Sequence, residues 1–233
     1  MRIGIIQCDS VLQEFQPQFG DYPQMFMDLF RKVDKNLTFQ VYDARLKQFP
    51  SNLDECDAYI STGSRLGVYD DIPWLTSLED FILKLSASNK KFVAVCFAHQ
   101  LVATLFGGNV EKSDKGWGVG VAENKLTTKK AWMETYQPTI KLIVSHQDQV
   151  TKLPPQAELL ATSDFCPNYL CLYASNILTV QGHPEFTHNY SLALMTHRQK
   201  RIGLQRYQQG VASLNQDTDS LLFTRWMLNF MTQ

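Results

Sequence analysis

Along the first hundred residues, short apolar runs alternate with stretches whose apolar residues recur at helical spacing, and few architectures accommodate that rhythm. Residues 3–7, 37–42, 58–61 and 92–96 are brief and rich in β-branched or aromatic side chains, so each is an expected strand. Between them, 24–33 carries Phe26, Leu29, Phe30 and Val33 on one stripe, and 75–85 does the same with Leu78, Phe81, Ile82 and Leu85. A β-α-β-α-β order predicts an α/β fold, a parallel sheet covered by helices on both faces, because parallel neighbours need a crossover between them. After Gly107 and Gly108, which should stop a helix, the pattern changes. Residues 119–126, 139–145, 158–162, 170–174 and 177–181 follow one another closely as expected strands, partly antiparallel. From about 187 to 233 the chain reads as helical. Residues 217–220 offer caps, and Phe223, Trp226, Met227, Phe230 and Met231 form a stripe wide enough to dock on the sheet. Within that region residues 198–201 form a small basic cluster, for which a solvated helix face is sufficient.

No repeat, low-complexity tract or linker interrupts the 233 residues, so a single domain over 1–233 is expected. With 22 basic and 23 acidic side chains the chain has no cationic footprint, which argues against nucleic acid as a partner. The longest apolar run, 92–98, is too short to span a bilayer, so no membrane is expected either. The first eight residues lack the pattern of a secretory signal, and five cysteines is an odd number. Reduced, mostly buried thiols in the cytoplasm are the expectation. No cysteine pair has the spacing of a zinc knuckle, and no HExxH, GxGxxG or GxxxxGK[ST] pattern occurs, so neither a metal nor another cofactor is expected.

One cysteine stands apart. Cys96 closes the apolar strand at 92–96 and opens a helical stretch at 97–106, at the carboxyl edge of the sheet where open α/β folds bind ligands. A helix N-terminus favours the thiolate and leaves unpaired N–H groups, so the N–H of Phe97 can meet an oxyanion formed when sulfur attacks a carbonyl. A tight turn wants small residues two positions to either side, and Ala94 and Ala98 occupy them. Such a nucleophile needs an imidazole. His183 follows the strand at 177–181 in the order Gly182, His183, Pro184, Glu185. Proline pushes the preceding residue toward extended backbone, where i and i+2 face the same side. Glu185 can therefore hold one ring nitrogen of His183 and leave the other for Cys96. Of the remaining histidines, His99 lies one helical turn beyond Cys96 and is expected to line the site, His146 ends another strand at a pocket, and His188 and His197 are expected on a helix surface.

With these residues in place the sequence resembles the class I glutamine amidotransferases, whose signatures are close to GxCxGxQ and GHPE. Here the segments read Ala94-Val95-Cys96-Phe97-Ala98-His99-Gln100 and Gly182-His183-Pro184-Glu185, with alanine at 94 and 98 where the family usually has glycine. Ser61-Thr62-Gly63-Ser64 resembles the family loop whose glycine N–H completes the oxyanion hole, and Ser145-His146-Gln147-Asp148 resembles the segment holding the substrate's α-groups. The resemblance implies a flavodoxin-like sheet and a Cys96–His183–Glu185 triad. It further implies an oxyanion hole from Gly63 and Phe97, and substrate contacts from Gln100, Ser145, His146 and Gln147. The segments 68–71 with Trp74, 115–117 and 159–164 resemble free-standing members related to the GMP synthase glutaminase, γ-glutamyl peptidases among them. The implied activity is hydrolysis of a small γ-glutamyl amide substrate through a thioester. Two alternatives are a glutaminase subunit feeding ammonia to a separate synthase, and a non-catalytic interaction module with the same fold.

Overall fold

A computed structural model describes all residues from Met1 to Gln233. The first half alternates as the periodicity requires. In chain order come β1 (Arg2–Gln7), α1 (Gln16–Phe19), α2 (Tyr22–Arg31), β2 (Thr38–Asp43), β3 (Ala58–Ser61), α3 (Leu75–Ser86), β4 (Lys91–Val95) and α4 (Phe97–Leu105). The second half supplies β5 (Asn109–Lys112), β6 (Gly118–Leu126), β7 (Thr139–His146), β8 (Asp148–Lys152), β9 (Ala157–Thr162), β10 (Leu170–Tyr173) and β11 (Ile177–Val180). It ends in α5 (His188–His197), α6 (Gln199–Ile202), α7 (Leu204–Ser213) and α8 (Ser220–Met231).

Nine strands form one sheet in the order β2-β1-β3-β4-β11-β10-β9-β6-β7. Strands β2, β1, β3, β4 and β11 run parallel, and antiparallel pairing begins between β11 and β10 and continues to β7. The late strand β11 thus joins the parallel half beside β4, with Val180 opposite Val95. That pairing carries a segment remote in sequence to the edge where β4 ends. Two strands had no counterpart among the expected elements: β5 and β8 pair as a separate ribbon, with Val110 opposite Val150.

Parallel strands buried on both faces need apolar residues on both. On one face α2 and α8 set Phe26, Phe30, Phe223 and Trp226 against Ile3, Ile5, Val93 and Val95. On the other, α3 and α4 set Leu78, Ile82, Leu101 and Val102 against Ile6, Tyr59, Phe92 and Ala94. The helix α8 docks as its stripe predicts, although Asp219 does not cap it in the expected manner. Its carboxylate instead accepts from Lys141 N at 2.7 Å, and its own N–H donates to Lys141 O at 2.7 Å, tying the start of α8 to β7. No helix is long and apolar enough to cross a membrane.

Candidate active site

Between β4 and α4 the backbone turns on one residue. Cys96 has φ 51° and ψ −100°, in the left-handed half of conformational space although it is not glycine. Strain of that kind costs on the order of 1–3 kcal/mol and persists only where the surroundings impose it. Here the Cys96 N–H donates to Val180 O at 2.8 Å, and Cys96 O accepts from Gln100 N at 3.1 Å, so sheet and helix hold the turn from both sides. Ala94 and Ala98 are wholly buried against the α3–α4 core.

The imidazole arrives along β11. Just beyond that strand, the His183 N–H donates to Ile143 O at 2.8 Å, fixing the turn against β7. Nδ1 of His183 lies 2.8 Å from Glu185 Oε1, and both side chains are buried. Phe186 stacks on the ring with centroids 4.0 Å apart and planes 13° from parallel. Glu185 therefore takes Nδ1, while Nε2 is left for the Cys96 sulfur. Burial alone would pull this imidazole down, but the Glu185 carboxylate and then Cys96 outweigh it and push the His183 pKa up to about 10. Gly63 marks how closely the groups approach. A β-carbon added there would lie 2.8 Å from His183 Cε1 and 3.3 Å from Cys96 Cβ, so only glycine fits. The structure thus gathers Cys96, His183, Glu185 and Gly63 at one point, beside Phe97 at the first position of α4.

A pocket opens over Cys96, and Gln100, Ser145, His146 and Gln147 line it, together with Asp148. Gln100 Nε2 donates to Asp148 O at 2.9 Å and to Gln181 Oε1 at 3.0 Å, which leaves its own carbonyl oxygen free to accept. His146 Nδ1 is 3.1 Å from Asp148 O. Burial lowers its pKa to about 4, so it offers a hydrogen bond and no charge.

Two expectations fail. His99 does not line the pocket: it is fully buried, with Nδ1 2.7 Å from Thr179 Oγ1 beneath the sheet edge. A residue three positions along α4 from Cys96 points into the helix–sheet interface rather than toward the opening. The basic cluster at 198–201 is not simply a solvated face either. Arg198 is half-buried, donates to Ser145 Oγ at 3.1 Å and, with Arg201, lines the pocket. A bend after α5 turns these side chains inward, and periodicity carries no signal of it. Gln181 also belongs to the site: its Nε2 donates to Cys96 Sγ at 3.5 Å, and its only sequence mark is a polar residue ending an apolar strand. His188 is part-exposed and His197 exposed, as expected of a helix surface.

The parallel half-sheet with its antiparallel extension defines a flavodoxin-like α/β protein. It superposes on a glutamine amidotransferase from Thermotoga maritima with a TM-score of 0.80 at 18% identity, covering 100% of this chain and 98% of that one. The chain belongs to the class I glutamine amidotransferase family, whose model matches residues 28–198. Over 176 residues it is 30% identical to γ-glutamyl peptidase 4 of Arabidopsis thaliana, spanning 72% of this chain and 69% of the relative. It is also 32% identical over 102 residues to a glutamine-hydrolyzing GMP synthase subunit from Methanospirillum hungatei, spanning 43% of this chain and 54% of that protein.

Proposed function

We propose that the protein hydrolyses the γ-amide bond of glutamine or a γ-glutamyl peptide through a glutamyl thioester on Cys96. The observation that carries this reading is the imidazole of His183, held by Glu185 on Nδ1 and brought so near Cys96 that one β-carbon at Gly63 would crowd both residues at once. In the proposed sequence the Cys96 thiolate attacks the γ-carbonyl carbon. Charge on the carbonyl oxygen is met by the N–H groups of Gly63 and Phe97. The Gly63 N–H has no acceptor within the protein, and a first-turn helical N–H such as that of Phe97 has no carbonyl one turn earlier to receive it. His183 gives its proton to the leaving nitrogen as the C–N bond breaks, and the acyl group stays on sulfur. Water then loses a proton to His183, attacks the thioester, and releases glutamate with the thiolate restored. Gln100, Ser145, His146 and Gln147 are the proposed holders of the glutamyl group, the Gln100 carbonyl oxygen facing its ammonium.

Glutamate release by wild-type protein and by Cys96→Ala, with glutamine and a set of γ-glutamyl peptides, tests the proposal. Cys96-dependent release is the expected result; release that survives in Cys96→Ala would refute it. The likeness to the Methanospirillum GMP synthase component favours a second reading, in which ammonia passes to a separate synthase. On that reading glutamine turnover is nearly idle until a synthase is added, and peptides are not cleaved.

A further inference from the structure

Building on the hydrolytic reading, we propose that Arg198 and Arg201, seated on Trp117 at one corner of the catalytic pocket, read a second carboxylate carried by the leaving group. The preferred substrate is then a γ-glutamyl amino acid rather than glutamine. Charge on the pocket wall is the first ground. Arg65 is already committed to Asp9 at 2.8 Å. Lys112, Arg198 and Arg201 also line the pocket, and none of them reaches a carboxylate. The acidic side chains on the same wall are Asp70 and Asp148. Glutamine brings one ammonium and one carboxylate and would use one cation of the three. A γ-glutamyl amino acid brings a second carboxylate.

Arg198 is the second ground. Its guanidinium is half-buried, and the hydrogen bond to Ser145 Oγ is its one polar partner in the protein. Burial pulls its pKa below the ordinary arginine value, as a charge removed from water without a counter-ion requires. The guanidinium carbons of Arg198 and Arg201 lie 6.0 and 5.5 Å from the centroid of the Trp117 ring. An aromatic wall holds planar guanidiniums in a fixed attitude, ready for a bidentate carboxylate. Position is the third ground. Ser145 lies two residues along β7 from Ile143, whose carbonyl receives the His183 N–H. The arginines therefore approach over β7, the strand that anchors the turn carrying the imidazole, where the departing nitrogen must collect its proton. Gln100 and Asp148 join through the α4 side, leaving that half for the glutamyl group, with Ser145 at the seam between the two halves.

A matched pair of substrates isolates the charge: γ-glutamylglycine and γ-glutamylglycinamide, which differ in the leaving group's carboxylate alone. Wild-type protein is expected to favour the acid at least tenfold in kcat/KM, and to lose most of that ratio in about 0.5 M salt. In Arg198→Gln, in Arg201→Gln and most fully in the double variant, the ratio should move toward one. Arg201 is exposed, so its variant serves even if Arg198→Gln folds poorly. A wild-type ratio near one, or a ratio unchanged in the variants because both substrates fall together, overturns the inference while hydrolysis stands. Absence of Cys96-dependent turnover of either substrate or of glutamine overturns both.

Discussion

Glu185 is nearly sealed from solvent, and one of its oxygens meets His183 Nδ1 while the other has no partner. A buried carboxylate with half its acceptors idle is costly unless a neighbouring positive charge compensates it, and the imidazolium of His183 is the charge available. Glu185→Gln keeps the shape and a hydrogen bond but removes that charge. The His183 pKa, held up near 10, should fall toward the ordinary 6.5, because its largest upward influence is gone. A proton-NMR titration of the ring reads the shift, and glutamate release should drop by about 10²–10⁴, the contribution of a well-placed general acid–base, with about 10⁴ the loss for a triad carboxylate turned to an amide. Gly63→Ala acts through space instead: the new methyl meets His183 Cε1 at 2.8 Å, and the imidazole has to move. A displaced base and a shifted N–H donor together should lower kcat at least about a hundredfold, checked beside an unchanged circular dichroism spectrum. At this scale the cysteine, the imidazole and the carboxylate were legible because each sits in a local pattern with a chemical meaning. Arg198 and Gln181 were not, since what matters about them is a neighbour brought in from another strand.

Helix α8 shows how an element is fixed by more than its stripe. Trp226 is fully buried, and its Nε1 donates to Glu134 O at 2.6 Å, while Asp219 pins the helix start to β7. Trp226→Ala removes the largest side chain between α8 and the sheet and should cost about 3–5 kcal/mol, read as a lower midpoint in urea. The β6–α7 contact is tighter still. Gly120 has φ 79° and lies against Ser213 Oγ and the Gly210 backbone, with room for no β-carbon. The apolar strands and the amphipathic helices α2, α3 and α8 were legible because each buries a periodic set of side chains. Strands β5 (NVEK) and β8 (DQVTK) were not. Their polar residues give no alternation to read, and a long-range pairing creates them.

For the molecule as a whole, two histidines set the response to acid. His99 and His146 are held neutral by burial, with pKa values lowered to about 3 and about 4. In the unfolded chain both would titrate near 6.5, so as pH falls through that value the unfolded state binds protons that the native state refuses. The contribution of these two groups is intact above about 6.5 and is lost on acidification, approaching about 2.7 kcal/mol per pH unit for two protons, whereas His183, with its raised pKa, loses its contribution only as pH rises above about 6.5. Thermal midpoints between pH 6.5 and 5, above the main carboxylate range, should decline accordingly. His99→Gln should roughly halve the slope; an equal slope in that variant would contradict the assignment. The same sheet that buries these imidazoles carries β11 to the side of β4, and that crossing creates the meeting of His183 with Cys96.

Covalent chemistry at that meeting point is testable in a single experiment. Protein mixed with a γ-glutamyl substrate, quenched in acid within the first turnovers and digested, is examined by mass spectrometry for an acyl group on each cysteine. The expected result is a glutamyl thioester on the peptide containing Cys96, absent from Cys96→Ala and long-lived in His183→Ala once an activated γ-glutamyl ester has loaded it. Steady release of glutamate with Cys96 never acylated, or acylation of another thiol in its place, would contradict the account.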